Sequence, residues 1–183
     1  MGLLSKIRHY VNTTVLRSIY FAIFSSVLNH GSIIWGQRST SSIKRLESIQ
    51  NKAIRIINFA PYNSKTDHLY KRLKILKFTD YVKLQNFLLV HDVINKKTPF
   101  ALQNSFIPAK NAHSYLTRGA MNHKVVVPKI KKVSYGEFSI SYQAATFWNN
   151  MVTNHAKKEL HLNSKSYSKK FIENKLLESY NSE

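Results

Sequence analysis

Apolar residues recur along this chain at steps of three and four positions, the spacing that places side chains on one face of an α-helix. One such stripe runs through Ile43, Leu46, Ala53 and Ile57. The spacing predicts helices over residues 3–11, 14–30, 43–59, 66–76, 79–95, 139–152 and 166–180. We therefore expect a mainly α-helical fold.

The character of the sequence changes at about residue 100, where Pro99 ends the fifth predicted helix because proline cannot continue one. From Phe100 to Tyr135 the chain is rich in Asn, Ser and Lys. Val125–Val127, three β-branched residues before a proline, favour at most one short edge strand. We expect a helical bundle over residues 1–99 and a looser module over 100–183 that contains two more helices.

The charge of the chain is strongly positive, with 28 Lys and Arg against 9 Asp and Glu and a formal net charge of +19. Such a charge bears on binding partners rather than on the fold, and its usual partners are nucleic acid and anionic membranes. A genome that favours Lys and Asn would also produce part of it. The longest apolar stretch, Ile19–Leu28, is shorter than the roughly 20 residues of a membrane span. We expect no membrane partner and an intracellular location, in the nucleus or cytoplasm.

The distribution of reactive side chains argues against catalysis by this chain alone. Two-metal phosphoryl transfer needs carboxylates close together, yet no two acidic residues are adjacent and none precedes Glu47. No pair of the eight histidines has the three- or four-residue spacing of a helical metal clamp, and cysteine is absent. Unless distant carboxylates converge, we expect no catalytic residues, no metal site, no cofactor and no small-molecule ligand.

The third predicted helix offers the clearest candidate site, because basic residues recur at helical steps on a face away from its apolar stripe. Such residues would neutralise backbone phosphates and position a strand without reading its sequence. The predicted nucleic-acid-binding residues are Lys44, Arg45, Gln50, Asn51, Lys52 and Arg55, together with Arg118 further along the chain. The alternative is an ordinary solvated helix face. Aromatic residues near the basic stretches could stack bases; the candidates are Tyr62, Tyr70 and Phe78. Such residues are more often in the core.

Several short motifs occur in a distinctive order over residues 2–180. They are Gly2–Arg8, Leu16–Tyr20, Leu28–Gly31, Ile34–Gly36, Leu46 with Gln50–Arg55, Leu73–Leu76, Pro99, Tyr115–Arg118, Gly136, Phe147–Asn149 and Phe171 in the last helix. In this order and spacing they resemble the C-terminal portion of reverse transcriptases of non-long-terminal-repeat retrotransposons, of the jockey-like LINE type. The Gln50–Arg55 motif is the most specific of the set.

The resemblance implies that residues 1–99 form a thumb-like bundle and that fingers and palm lie upstream with the Asp residues that bind Mg²⁺. The chain is then expected to be a fragment that lacks the active site of the RNA-directed DNA polymerase and is inactive alone. Its implied function is to grip primer–template or element RNA. Its implied partners are RNA, an RNA–DNA hybrid and the upstream polymerase domain of this transposable element.

Three other interpretations remain open at this point. The chain could be a helical protein-interaction scaffold whose basic residues only solubilise it. It could be a peripheral membrane protein that uses the segment 15–35. It could also be a decayed fragment without function. Nucleic-acid binding differs from the first two in its steep dependence on salt.

Overall fold

The computed structural model describes residues 2–37, 40–112, 115, 117–132, 136–154 and 164–181. Over these residues the chain is mainly helical, which confirms the fold class expected from the spacing of apolar residues. The α-helices are α1 (Gly2–Ile7), α2 (Thr13–Ile19), α3 (Ser26–Asn29), α4 (Ser32–Trp35), α5 (Thr40–Ile57), α6 (Asp67–Leu73), α7 (Phe78–Ile94), α8 (Phe100–Gln103), α9 (Arg118–Met121), α10 (Ile140–Asn154) and α11 (Lys165–Glu178). A π-helical turn, Tyr20–Ser25, joins α2 to α3, and single 3-10 turns lie at Ala109–Asn111 and Ser179–Asn181.

The chain divides into two compact units whose boundary differs from the predicted one at residue 99. The first unit comprises Met1–Tyr81 and Glu173–Glu183, and the second comprises Val82–Ile172. The C-terminal residues belong to the first unit because the Tyr180 hydroxyl donates to Asp80 Oδ2 at 2.7 Å and its ring packs edge-on against Tyr70. A change of composition at residue 100 carries no information about this long-range contact.

Local signals set the beginning and end of the early helices. The Asn12 side chain accepts a hydrogen bond from the Val15 N–H at 2.9 Å and so caps α2, as Asn does at many helix starts. Gly31 adopts a left-handed φ of 62° between α3 and α4, a conformation that glycine reaches without a steric penalty. The helical segment that the sequence predicts to end near His30 therefore ends there, and a new short helix follows.

The first unit is built around a core to which α1, α2, α5 and α6 all contribute. Buried side chains from these helices pack together with the C-terminal tyrosine. The residues of this cluster are Leu4, Leu16, Tyr20, Ala53, Ile54, Ile57, Leu69, Tyr70, Leu73, Ile75 and Tyr180. Burial of this apolar surface is the main stabilising contribution to the unit.

The second unit is organised around Trp148 on α10. Its ring is fully buried and stacks on Phe87 of α7 with ring centroids 4.7 Å apart. The indole Nε1 donates to the His123 carbonyl at 3.1 Å. The apolar face predicted for residues 139–152 is thus the face that packs against α7.

The edge strand expected at Val125–Val127 does not form, and among the described residues a single bridge, between Pro108 and Val125, is all that remains of it. Two backbone hydrogen bonds flank this bridge, from the Ala109 N–H to the Lys124 carbonyl and from the Val126 N–H to the Ile107 carbonyl, both at 2.8 Å. The backbone of Val125 is instead paired with the side chain of Asn149. Its Oδ1 accepts from the Val125 N–H and its Nδ2 donates to the Val125 carbonyl, both at 2.9 Å.

Candidate nucleic-acid interface

Helix α5 separates its apolar and basic residues onto different faces. Ile43, Ala53, Ile54 and Ile57 are buried in the first unit. Steps of three and four residues place Arg45, Ser48, Lys52 and Arg55 together on another side of the helix. Because the core fixes the rotation of the helix, it also fixes which face is turned outward.

The acidic residue of α5 does not lie on the face shared by Arg45, Lys52 and Arg55. The Glu47 carboxylate accepts a hydrogen bond from the Thr79 hydroxyl at 3.1 Å. Lys44, Arg45 and Lys52 are exposed. We define the basic face of α5 as Arg45, Ser48, Lys52 and Arg55, with Lys44 beside it. Within α5 the basic face contains no carboxylate, so it presents a local positive field to solvent.

Arg55 is half-buried and is held in place by its neighbours. Its Nε donates to the Ser64 carbonyl at 3.0 Å, and its guanidinium carbon lies 5.9 Å from the centroid of the Tyr62 ring. These contacts restrict the orientation of the side chain. Arg55 is therefore the most preorganised cation of the basic face.

Gln50, which the sequence suggested as a binding residue, lies inside the first unit and is only 2% exposed. Its Nε2 donates to the Tyr20 hydroxyl and the Leu76 carbonyl, both at 3.0 Å, and its Oε1 accepts from the Phe78 N–H at 2.9 Å. The side-chain amide thus fastens three segments of the unit. The sequence contains a signal for this burial, because Gln50 falls on the apolar stripe between Leu46 and Ile54.

The side-chain oxygen of Asn51 also accepts hydrogen bonds from within the protein. Its Oδ1 accepts from the Tyr70 hydroxyl at 2.9 Å and from the Thr66 hydroxyl at 3.3 Å. Gln50 and Asn51 therefore stabilise the fold of the first unit. The predicted binding residues that this unit leaves accessible are Lys44, Arg45, Lys52 and Arg55. Arg118 belongs to the second unit, where it is exposed at the start of α9.

The aromatic candidates separate clearly by exposure. Tyr70 and Phe78 are buried, and Phe78 stacks on Trp35 with ring centroids 4.9 Å apart, so both belong to the core. Tyr62 is 73% exposed. Phe59, which the sequence did not indicate as a binding residue, is 46% exposed at the end of α5. Only the point at which the helix stops reveals that this ring leaves the core.

The part of the chain that the structure describes contains no cluster of three or more His, Asp or Glu side chains that could hold a metal ion. Within the same residues, none of the helices combines the length and the apolar character that crossing a membrane requires. Comparison of the chain with protein-family models, curated proteins and solved structures finds no match.

Proposed function

We propose that the first unit binds nucleic acid by its phosphate backbone along the basic face of α5. The observation that carries the proposal is the segregation of cations on that face, with Glu47 turned toward Thr79 and the apolar side packed in the core. Arg45 and Lys52 extend into solvent, and Arg55 is fixed beside them. This arrangement suits contact with successive phosphates and provides no means of reading bases in a groove.

We also propose, on the resemblance described above, that the chain acts as the C-terminal part of a retrotransposon RNA-directed DNA polymerase. In that role it would hold primer–template or element RNA while an upstream domain supplies the catalytic carboxylates and Mg²⁺. The Gln50–Arg55 motif, the most specific part of that resemblance, supports this proposal. Its first two residues build the unit and two later ones, Lys52 and Arg55, are directed to the basic face, so one short motif serves both purposes.

The test is a salt titration of binding to a labelled RNA–DNA hybrid, followed by fluorescence anisotropy. Each phosphate contact contributes about 0.7–0.9 to the slope of log K against log salt concentration. The triple variant Arg45→Ala, Lys52→Ala, Arg55→Ala should bind more weakly and lower the slope by about two to three.

A matched control removes the same charge elsewhere. The triple variant Lys97→Ala, Lys110→Ala, Lys129→Ala takes three exposed cations from the second unit and should leave most of the affinity intact. If the two triple variants lost affinity equally, binding would depend on total charge and the basic face would not be the site. If the α5 variant bound as tightly as the parent, the proposal would be overturned.

One observation favours the interaction scaffold as a second candidate. A cavity of about 330 Å³ with apolar lining residues opens in the first unit, and Ile23 and Val27 at its wall are exposed. It is lined by Leu3, Leu4, Ile19, Ile23, Phe24, Val27, Leu28 and Leu46. No acidic residue precedes Glu47 in the sequence, so charge complementarity selects an amphipathic partner helix with acidic flanks.

The scaffold candidate is tested with a designed leucine-faced helical peptide that carries Glu on its polar side. The parent should bind it, and Ile23→Glu with Val27→Glu should abolish binding. The same peptide with Lys in place of Glu is the control and should bind poorly. Equal binding of both peptides, or none of either, would reject this candidate.

A further inference from the structure

Phe59 follows α5 in a backbone conformation that a bulky residue rarely adopts. Its φ is 55°. The Ala60 N–H donates to the Arg55 carbonyl at 3.0 Å and the Phe59 N–H donates to the Ile56 carbonyl at 3.3 Å. This is the Schellman arrangement, in which the left-handed position is usually glycine or asparagine because a Cβ is disfavoured there.

Phe59 remains 46% exposed, although Arg8 and His9 contact its ring. Lys74, Lys96 and His123 also have left-handed φ values in this chain. Those three side chains are polar and are suited to solvent at a helix end. Phe59 is the apolar member of the group among the described residues, and it combines backbone strain with an exposed ring. Strained residues of this kind concentrate where proteins bind ligands.

Cations accompany the exposed ring of Phe59 and that of its neighbour in sequence, Tyr62. The Arg8 guanidinium carbon lies 5.4 Å from the Phe59 centroid, and that of Arg55 lies 5.9 Å from the Tyr62 centroid. Arg55 also belongs to the basic face of α5. The surface therefore presents two aromatic rings, each with an arginine, at the end of a row of cations.

We infer that Phe59 and Tyr62 stack the bases of a single-stranded nucleic acid whose phosphates follow the basic face of α5. Sites for single strands combine a positively charged track with exposed aromatic rings, because every base has a π face that can stack. Paired bases within a duplex are already stacked on each other and do not offer that face. The inference rests on the proposed function and adds to it a preference for unpaired strands.

The experiment compares three labelled probes at one salt concentration: oligo(dT) of about twelve nucleotides, an abasic deoxyribose-phosphate oligomer of the same length, and a duplex of the same length. The abasic oligomer keeps the phosphates and lacks the bases. The parent protein should bind oligo(dT) about fivefold to a hundredfold more tightly than the abasic oligomer for each ring that stacks, and more tightly than the duplex.

The test variants are Phe59→Gly and Tyr62→Ala. Phe59→Gly should weaken oligo(dT) binding and leave the affinity for the abasic oligomer and the salt dependence nearly unchanged. Tyr62→Ala should weaken binding of oligo(dT) more than that of the abasic oligomer, because it also removes the ring beside Arg55. Glycine also fits the left-handed φ, so Phe59→Gly should remain folded, with relief of backbone strain offsetting the lost contacts of the ring with Arg8 and His9. Thermal unfolding checks this. Tyr10→Ala, at another ring that is 87% exposed, is the matched control and should bind like the parent.

The outcomes separate this inference from the proposal it rests on. A parent that binds none of the probes overturns the proposed function and the inference together. A parent that binds oligo(dT) and the abasic oligomer equally, or variants that retain the parent's affinity for oligo(dT), overturns base stacking and leaves phosphate binding intact. Selective loss of oligo(dT) binding in both variants, with Tyr10→Ala unchanged, supports the inference.

Discussion

The Gln50 side-chain oxygen accepts a hydrogen bond from the backbone N–H of Phe78, at 2.9 Å, 28 residues further along the chain. Phe78 is the first residue of α7, and N–H groups in the first turn of a helix have no partner within the helix. Gln50 supplies one from the middle of α5. This explains why the polar residue Gln50 lies on the apolar stripe of α5: without it, the Phe78 N–H would be buried without an acceptor.

We expect Gln50→Leu to destabilise the first unit by about 1–3 kcal/mol, because the Phe78 N–H would be left buried without an acceptor. The free energy of unfolding measured with urea gives this value directly. Ser48→Ala, at an exposed position of the same helix, is the control and should change stability by less than about 0.5 kcal/mol. Equal stability of the Gln50 variant and the parent would contradict the structural role assigned here.

A single substitution on the basic face should change the salt dependence of binding by the amount expected for one phosphate contact. Lys52→Gln removes one exposed cation and should lower the slope of log K against log salt by about one or slightly less. Lys97→Gln removes an exposed cation from the second unit and should leave the slope unchanged. The measurement is an anisotropy titration with RNA–DNA hybrid at several salt concentrations. An unchanged slope for Lys52→Gln would remove this residue from the interface.

Buried tyrosines make the first unit sensitive to alkali. Burial raises the pKa of Tyr20 to about 12 from 10.0, against a smaller lowering by the hydrogen bond with Gln50, and burial also raises the pKa values of Tyr70 and Tyr180. A raised pKa means that the folded state favours the neutral phenol. This contribution to stability is complete below pH 10 and is lost as the pH rises from 10 through 12.

At pH 11, Tyr20 alone should have lost about 1.4 kcal/mol of its contribution, one pKa unit of free energy. Urea unfolding at pH 9 and pH 11 measures the change. Tyr20→Phe should reduce the difference between the two pH values, whereas Tyr10→Phe, at an exposed ring, should not. A parent whose stability were the same at both pH values would contradict this prediction.

The contact between Tyr180 and Asp80 should stabilise the first unit from its C-terminal end. The Tyr180 hydroxyl donates to the Asp80 carboxylate at 2.7 Å and accepts from the Lys77 N–H at 3.0 Å. We expect Tyr180→Phe to lower the free energy of unfolding by about 1.5–3 kcal/mol, the range for a hydrogen bond to a charged group. The midpoint of thermal unfolding reports it. Tyr167→Phe, at a half-exposed tyrosine of α11, is the control and should have a midpoint close to that of the parent.

The pair formed by Asn149 and Val125 should control local order in the second unit. Asn149→Ala removes both side-chain hydrogen bonds to the Val125 backbone. The Val125 amide should then exchange with solvent faster, by about tenfold for each 1.4 kcal/mol lost, because local opening requires less free energy. Amide hydrogen exchange measures it. Asn150→Ala, at the exposed neighbouring position, should leave the Val125 rate unchanged.

The sequence by itself determined the helical fold, because helical periodicity and capping are local properties of the chain. The stripe through Ile43, Leu46, Ala53 and Ile57 predicted α5, and Asn12 and Gly31 marked helix ends. The same periodicity identified Arg45, Lys52 and Arg55 as one face. The same spacing places Gln50 on the apolar side of α5, which indicates a buried position, although its residue type alone suggested a binding role.

Only the tertiary structure decided where side chains from distant segments meet. The membership of the C-terminal residues in the first unit depends on Tyr180 and Asp80, which are 100 residues apart in sequence. At the expected strand, the backbone of Val125 is paired with the side chain of Asn149 from another segment. Phe59 became a candidate when the end of α5 placed it in a left-handed conformation with an exposed ring. Periodicity reports which side of a helix is apolar, whereas packing decides what that side touches and where the helix stops.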